Sequence, residues 1–325
     1  MDQAKAEQAV NELQYITRVV NSGEVGDFKP SATLLERKIK PSDRPFIKKD
    51  ASGHALYFIV EGRVGVDIGQ LDRIIVPAKK TVGEMSMIST VLNTFDDLGN
   101  VESRTADVYA EEDLRLIVFN YSLLIEIIRD KTPELRKFHQ PILINLNRIL
   151  FRKLIGVNNN YVSVLTSYGL VQEAEVTKYP VQLQEGLTRF LKNIRTFPNI
   201  SVSPHDMRGI LIRENEPNSA ILFLEKGVIK ISMVVKNEET SEEEWIELDR
   251  MEAPMMLGES SILNIGSISS AQVEALDKVV GYRIEVQKLL HHLKHYPGMF
   301  ETFFKLLLEL NYFRTTKIMQ KTANL

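Results

Sequence analysis

Ala55-Leu-Tyr-Phe-Ile-Val-Glu-Gly62-Arg-Val-Gly-Val66 lines up without gaps on Ala220-Ile-Leu-Phe-Leu-Glu-Lys-Gly227-Val-Ile-Lys-Ile231, an offset of 165 in a chain of 325 residues. A chain that repeats itself at half its length carries two copies of one structural unit, and this reading precedes all others. Two further matches extend it. Val82-Gly83-Glu84-Met-Ser-Met-Ile88 corresponds to Leu257-Gly258-Glu259-Ser-Ser-Ile-Leu263, and Arg104-Thr-Ala106-Asp-Val108 to Ser269-Ser-Ala271-Gln-Val273. Each copy opens with short β-branched and aromatic runs punctuated by Gly, Asn, Asp and Pro, the pattern of antiparallel strands joined by turns. Gly62 and Gly227, each between two such runs, are expected at tight hairpins.

After the strands, the apolar spacing changes to three and four. Leu123 to Ile128 and Leu135 to Ile155 read as helices, with Thr132 and Pro133 as N-cap and first-turn residue. Gly156-Val-Asn-Asn-Asn160 reads as a helix stop and loop. The second copy ends likewise, with Val286 to Leu293, a break at Pro297-Gly298, and Phe303 to Ile318, where Phe304, Leu307, Leu308 and Tyr312 share a face. Ala4 to Val20 is an amphipathic helix whose Val10, Leu13, Ile16, Val19 and Val20 would pack on its own domain or on a second copy. Strands followed by helices, twice, make an α+β chain. The expected organisation is an N-terminal helical segment (1–30), a first domain with a long C-terminal helix (31–160), a helical linker (161–200, including Leu187 to Ile194) and a second domain (201–325), with the boundary between the copies near residue 165.

Composition narrows the function. With 40 basic and 43 acidic residues the net charge is −3, so no excess of Lys and Arg points to nucleic acid or an acidic membrane. Zero cysteines exclude disulfides, thiolate metal sites and Cys nucleophiles, in keeping with a reducing cytoplasm. No signal peptide and no membrane span are expected. His291, His292 and His295 form a His-His-x-x-His cluster, which lacks the Glu of a metalloprotease helix and a third carboxylate ligand; it reads as a solvated helix end. His54, His139 and His205 are isolated. Nothing matches a nucleophile elbow, a phosphate-binding P-loop or a dinucleotide fingerprint, so no enzyme is expected. Glu238, Glu239, Glu242, Glu243 and Glu244, running into Trp245, read as a solvated hairpin tip. Arg136, Lys137, Arg148, Arg152 and Lys153 read as a solvated helix face.

The repeat, its Gly-Glu pairs and the Arg-Thr-Ala run together resemble a tandem pair of cyclic-nucleotide-binding domains, the β-roll shared by protein kinase A regulatory subunits, catabolite activator proteins and gated channels. The resemblance implies two double-stranded β-helix (jelly-roll-like) domains with flanking helices, covering residues 30 to 155 and 200 to 320. It implies a ligand-binding set of Gly83, Glu84, Met85, Ser86, Arg104, Thr105 and Ala106. In that set the backbone after Gly83 and the Arg104 guanidinium would hold a cyclic phosphate, and Glu84 would accept from a ribose hydroxyl. Base contacts are expected from residues after 133, such as Arg136, Phe138 or His139.

Two departures qualify the pattern. Glu84 and Arg104 stand 20 residues apart, about twice the family's spacing, so Val91 to Glu102 reads as an insertion whose Asp96, Asp97 and Glu102 would oppose a phosphate or face water. In the second copy Ser269 and Ser270 replace the Arg; that copy is expected to bind no simple cyclic mononucleotide. The chain holds no evident helix-turn-helix, kinase, channel or cyclase module. The expected protein is a non-enzymatic cytoplasmic sensor or regulatory adaptor without a cofactor or metal. Its ligand would be cAMP or cGMP, and its partner a second protein or a second copy. A ligand-free scaffold acting by protein contacts, and a cyclic dinucleotide receptor with an enlarged pocket, stay open as alternatives.

Overall fold

The computed structural model of the chain describes residues 2–67, 73–98, 103–169, 174–196, 205–236, 243–263 and 268–324. It forms two compact units, residues 1–153 with 323–325, and Leu154–Thr322. The first contains α1 (Gln3–Ser22), β1 (Leu34–Ile39), β2 (Ala55–Glu61), β3 (Arg63–Asp67), β4 (Ile74–Pro77), β5 (Thr81–Val82), α2 (Glu84–Phe95), β6 (Asp107–Ala110), β7 (Leu114–Asn120), α3 (Ser122–Arg129), α4 (Pro133–Arg136) and the first half of α5 (His139–Tyr168). Its strands make two antiparallel sheets, ordered β1-β7-β2-β5 and β4-β3-β6. Between them lies a core of Ile47, Ile59, Val64, Val82, Val108, Leu114, Leu116 and Val118.

Gly62 is a corner rather than a hairpin. β2 pairs with β5 and β7, β3 with β4 and β6, so at Gly62 the chain passes from one sheet to the other. Its φ of 84° suits glycine, and a Cβ there would lie 2.5 Å from the Asp113 carbonyl oxygen. Gly227, at φ 104°, likewise joins two strands that do not pair with each other, here within one sheet. Alternation identifies strands but not their partners, hence the hairpin expected from the sequence.

The second unit holds β8 (Val176–Thr177), α6 (Val181–Ile194), β9 (His205–Ile212), β10 (Ala220–Lys226), β11 (Val228–Lys236), β12 (Glu243–Glu252), β13 (Met255–Leu257), α7 (Ser260–Leu263), β14 (Gln272–Glu285), α8 (Val286–His295) and α9 (Pro297–Ala323). Its sheet runs β13-β10-β14-β11-β12-β8, with β9 on β14. The long β14, bulged between Ala275 and Val279, does the work that β6 and β7 share in the first unit.

Two expectations about the middle of the chain are corrected. α5 does not stop at Gly156; it runs unbroken to Tyr168. Gly costs a helix about 1 kcal/mol and Asn less, and the burial of Leu154, Tyr161, Val162 and Leu165 outweighs that local preference. Residues 161–200 are not a separate linker: their described parts, including β8, parallel to β12, and α6, belong to the second unit. α1 packs its buried Leu13, Ile16 and Val19 within the first unit, and Thr33 donates to Glu12 from the segment that follows. Thr132 is the N-cap residue of α4, with Pro133 in its first turn. No helix among the described residues is long and apolar enough to cross a membrane.

Candidate functional site

β5 delivers the chain to Gly83, which caps α2 in the left-handed conformation at φ 89°. Beside it lies Arg104, whose backbone is pinned by Asp50 N to Arg104 O (2.9 Å) and Arg104 N to Ala51 O (3.0 Å). The guanidinium is buried, 5% exposed. Nη1 donates to the Gly83 carbonyl at 3.2 Å and Nη2 to the Ala55 carbonyl at 2.6 Å. Among the described residues no carboxylate pairs with it. Both neighbours on this side are glycines: a Cβ at Gly83 would stand 2.6 Å from Nη1, and one at Gly53 2.7 Å from Nε and Nη2, so either would displace the guanidinium.

Glu84, the first residue of α2, is buried with its Oε1 2.8 Å from Lys153 Nζ on α5. Its Oε2 has no hydrogen-bond partner. A buried carboxylate oxygen without a donor is costly, by about 1–3 kcal/mol or more. The arrangement therefore presents a buried cation held only by neutral carbonyls and, close by in the chain, a carboxylate oxygen with a lone pair to fill, at the N-terminus of a 12-residue helix.

Of the remaining expected residues, Met85, Ser86 and Ala106 are buried, whereas Thr105 is exposed. Ser86 and Thr90 act as hydrogen-bond partners of Tyr121. The Tyr121 hydroxyl donates to Gly53 O at 2.5 Å, and burial pushes its pKa up, against the pull of the nearby Arg104. Ser86 thus helps to hold the wall of the site.

The insertion in part lengthens α2, the helix that with its Gly-Glu start forms the cassette of this unit. Val91 to Phe95 complete α2, with Val91 fully buried. Asp96 and Asp97 are exposed, and Asp97 pairs with Lys131 at 3.5 Å, so neither is buried against Arg104. Glu102 lies outside the described residues. Lys153 is not part of a solvated face; it closes on Glu84. His139 is buried, its Nε2 3.3 Å from the Ile127 carbonyl and its ring against Phe95, and Phe138 is buried too. Of the three residues expected to reach a base, Arg136 alone is exposed.

In the second unit, Glu259 follows Gly258 as Glu84 follows Gly83, but its partner is Arg314 of α9. Arg314 Nη1 donates to Glu259, Nη2 to Met256 O at 2.5 Å and Nε to the Tyr179 hydroxyl at 2.7 Å. Burial works against this cation, yet Glu259 and Tyr179 hold its pKa above the ordinary value. One and two turns on, Lys317 and Lys321 both reach Asp249 of β12. Burial lowers the pKa of Lys317 in spite of Asp249. The cassette of this unit is therefore held by its own C-terminal helix. The sequence reading missed Lys153 and the cation row of α9; the signal available was Arg314, Lys317 and Lys321 at three- and four-residue spacing in the second half of that helix.

His291 and His295 are exposed on α8 with ring centroids 4.9 Å apart, and among the described residues no group of three ligands suits a metal. Glu243 and Glu244 are exposed, Trp245 is half exposed, and Glu238, Glu239 and Glu242 lie outside the described residues.

No family model matches the chain, and no curated protein does. Among solved structures it is similar to the regulatory subunit of a cAMP-independent protein kinase A from Trypanosoma brucei, at 14% identity over 90% of this chain and 94% of that one, with a TM-score of 0.29. It is similar to the regulatory domain of Toxoplasma gondii protein kinase A co-crystallised with cAMP, at 14% identity over 90% and 95%, with a TM-score of 0.26. A cyclic nucleotide-binding domain from Methylobacillus flagellatus matches at 16% identity over 43% of this chain and 82% of that one, with a TM-score of 0.34. At such TM-scores these likenesses carry no argument.

Proposed function

We propose that the first unit is a regulatory sensor that binds a cyclic mononucleotide, cAMP or cGMP, at Gly83, Glu84 and Arg104, and acts through a protein partner rather than by catalysis. The observation that supports this is the buried Arg104 guanidinium, held by two neutral carbonyls and, among the described residues, by no carboxylate. A buried charge favours an opposite charge beside it; at 4 Å and an effective dielectric of about 20 the attraction is about 4 kcal/mol. A cyclic phosphate supplies one negative charge, which the partial positive charge of the α2 N-terminus also attracts. A ribose hydroxyl would donate to the unpaired Oε2 of Glu84.

Lys153 gives such binding a route to the helices. It holds Glu84 from α5, so a ligand with different affinity for the paired and unpaired states of Glu84 shifts the position of that helix. Titration calorimetry with cAMP, cGMP and cyclic di-GMP, on the wild type and Arg104→Ala, tests the proposal. Saturable binding of a mononucleotide that weakens about 30-fold or more in the variant supports it, given the 2 to 5 kcal/mol typical of a buried charged pair. Heat from none of the three, or affinity unchanged by Arg104→Ala, overturns it.

A further inference from the structure

The two units keep the same backbone around Arg104 and Ser269, residue for residue at the 165 offset. Asp50 N to Arg104 O and Arg104 N to Ala51 O recur as Asn215 N to Ser269 O and Ser269 N to Glu216 O, both at 2.9 Å in the second unit. Asp50 and Asn215 share a φ of 60°. On that common frame Gly53 corresponds to Asn218, and Ala55 to Ala220.

What differs is the donor to that alanine carbonyl. In the first unit Arg104 Nη2 reaches Ala55 O at 2.6 Å; in the second, Asn218 Nδ2 reaches Ala220 O at 2.9 Å. The cassette glycine sees the same exchange: a Cβ on Gly83 would meet Arg104 Nη1 at 2.6 Å, and one on Gly258 would meet Asn218 Nδ2 at 2.8 Å. A Cβ at Gly53 would stand 2.7 Å from two guanidinium nitrogens, so a side chain at this position would push the Arg104 guanidinium from the place it holds here. Ser269, too short to fill the place, is 5% exposed with its hydroxyl unpaired.

We infer that Gly53 is the specificity-determining residue that admits Arg104, and with it an anion, in the first unit, and that the equivalent site of the second unit is occupied from within by the Asn218 amide. Residues 53 and 104, and 218 and 269, behave as exchange pairs: glycine with arginine opens the site to an anion, asparagine with serine closes it. That residue 53 governs nucleotide binding rests on the sensor reading of the first unit; that Asn218 and Arg104 exchange one hydrogen-bond role does not.

The test is a double-mutant cycle on the full chain, with Gly53→Asn, Arg104→Ser and the pair together, read by thermal denaturation. Each single variant is expected to melt about 3–8 °C lower, the first by the clash and the second by orphaning the Ala55 carbonyl, and the double variant to recover most of the loss. Losses that simply add overturn the exchange. Should a single variant fail to fold, Ser269→Arg against Asn218→Gly/Ser269→Arg repeats the test in the second unit, followed by the fluorescence of Trp245; the single change is expected to destabilise and the double to relieve it. Calorimetry with cAMP and cGMP adds the ligand side: Gly53→Asn is expected to weaken binding as far as Arg104→Ala does, about 30-fold or more. Binding at wild-type strength by Gly53→Asn overturns the specificity role. A wild type that binds neither nucleotide overturns the sensor reading instead, and the melting cycle still decides the exchange.

Discussion

Replacing Arg314 by Met removes the cation that holds the second unit's cassette to α9 while keeping much of the side chain's apolar stem. Three bonds go with it, to Glu259, to the Met256 carbonyl and to the Tyr179 hydroxyl. Both charged side chains are about nine-tenths buried, at 10% and 11% exposure. The Glu259 carboxylate would be left in low dielectric without its partner, which costs about 3–5 kcal/mol when one member of a buried pair is deleted. For a domain of this size each kcal/mol moves Tm by about 2–4 °C, so the second unit should melt about 6–20 °C lower. Trp245 is the chain's one tryptophan and lies on β12, so its fluorescence follows this unit. Arg314→Lys keeps the charge but not the fork, and should lose less. Combining Glu259→Gln with Arg314→Met should cost far less than the two losses added, because the orphaned charge is gone. A melting point for Arg314→Met within about 2 °C of wild type would refute the idea that α9 clamps the cassette.

Two other outcomes follow from the same geometry. Gly83→Ala places a Cβ 2.6 Å from Arg104 Nη1 at a φ of 89°, and should abolish nucleotide binding and lower stability by about 1–3 kcal/mol; calorimetry and a urea titration report both. Burial pushes the Tyr179 hydroxyl from 10.0 up to about 12, so the folded state holds its proton more tightly than the unfolded chain. That contribution, about 3 kcal/mol, is fully present below pH 10 and is lost as the pH rises towards 12. Lys317, whose pKa is lowered, acts in the opposite sense, gaining stability for the fold as the pH approaches 10.5. Urea midpoints of the second unit should therefore fall between pH 10 and 12 in the wild type, and fall less steeply in Tyr179→Phe; equal slopes would count against a buried, protonated Tyr179.

The strands and the repeat were legible because each depends on local pattern: aromatic and β-branched runs, and a glycine at a sheet-to-helix turn. The resemblance implied that Gly83 and Arg104 share a site, and the structure brings the Arg104 guanidinium to the Gly83 carbonyl. Lys153 and Arg314 were not, because each meets its Glu across more than fifty residues and on a helix where a cation looks solvated by default. Gly156 to Asn160 misled for the opposite reason; the local signal was real, and the burial of flanking apolar residues overrode it. The exchange of Gly53 and Arg104 for Asn218 and Ser269 stood in the alignment of the two halves, but only the structure shows that the two positions touch. Gly62 carried the right conformation and the wrong partner, since a period of two says nothing about which strands pair.

Native mass spectrometry of the full chain with excess cAMP or cGMP counts bound ligand without reference to mechanism. One nucleotide per chain, absent from Arg104→Ala and unaffected by Ser269→Ala, is the result expected of an open first site and a second site closed from within. No nucleotide, two per chain, or one that survives Arg104→Ala would contradict it.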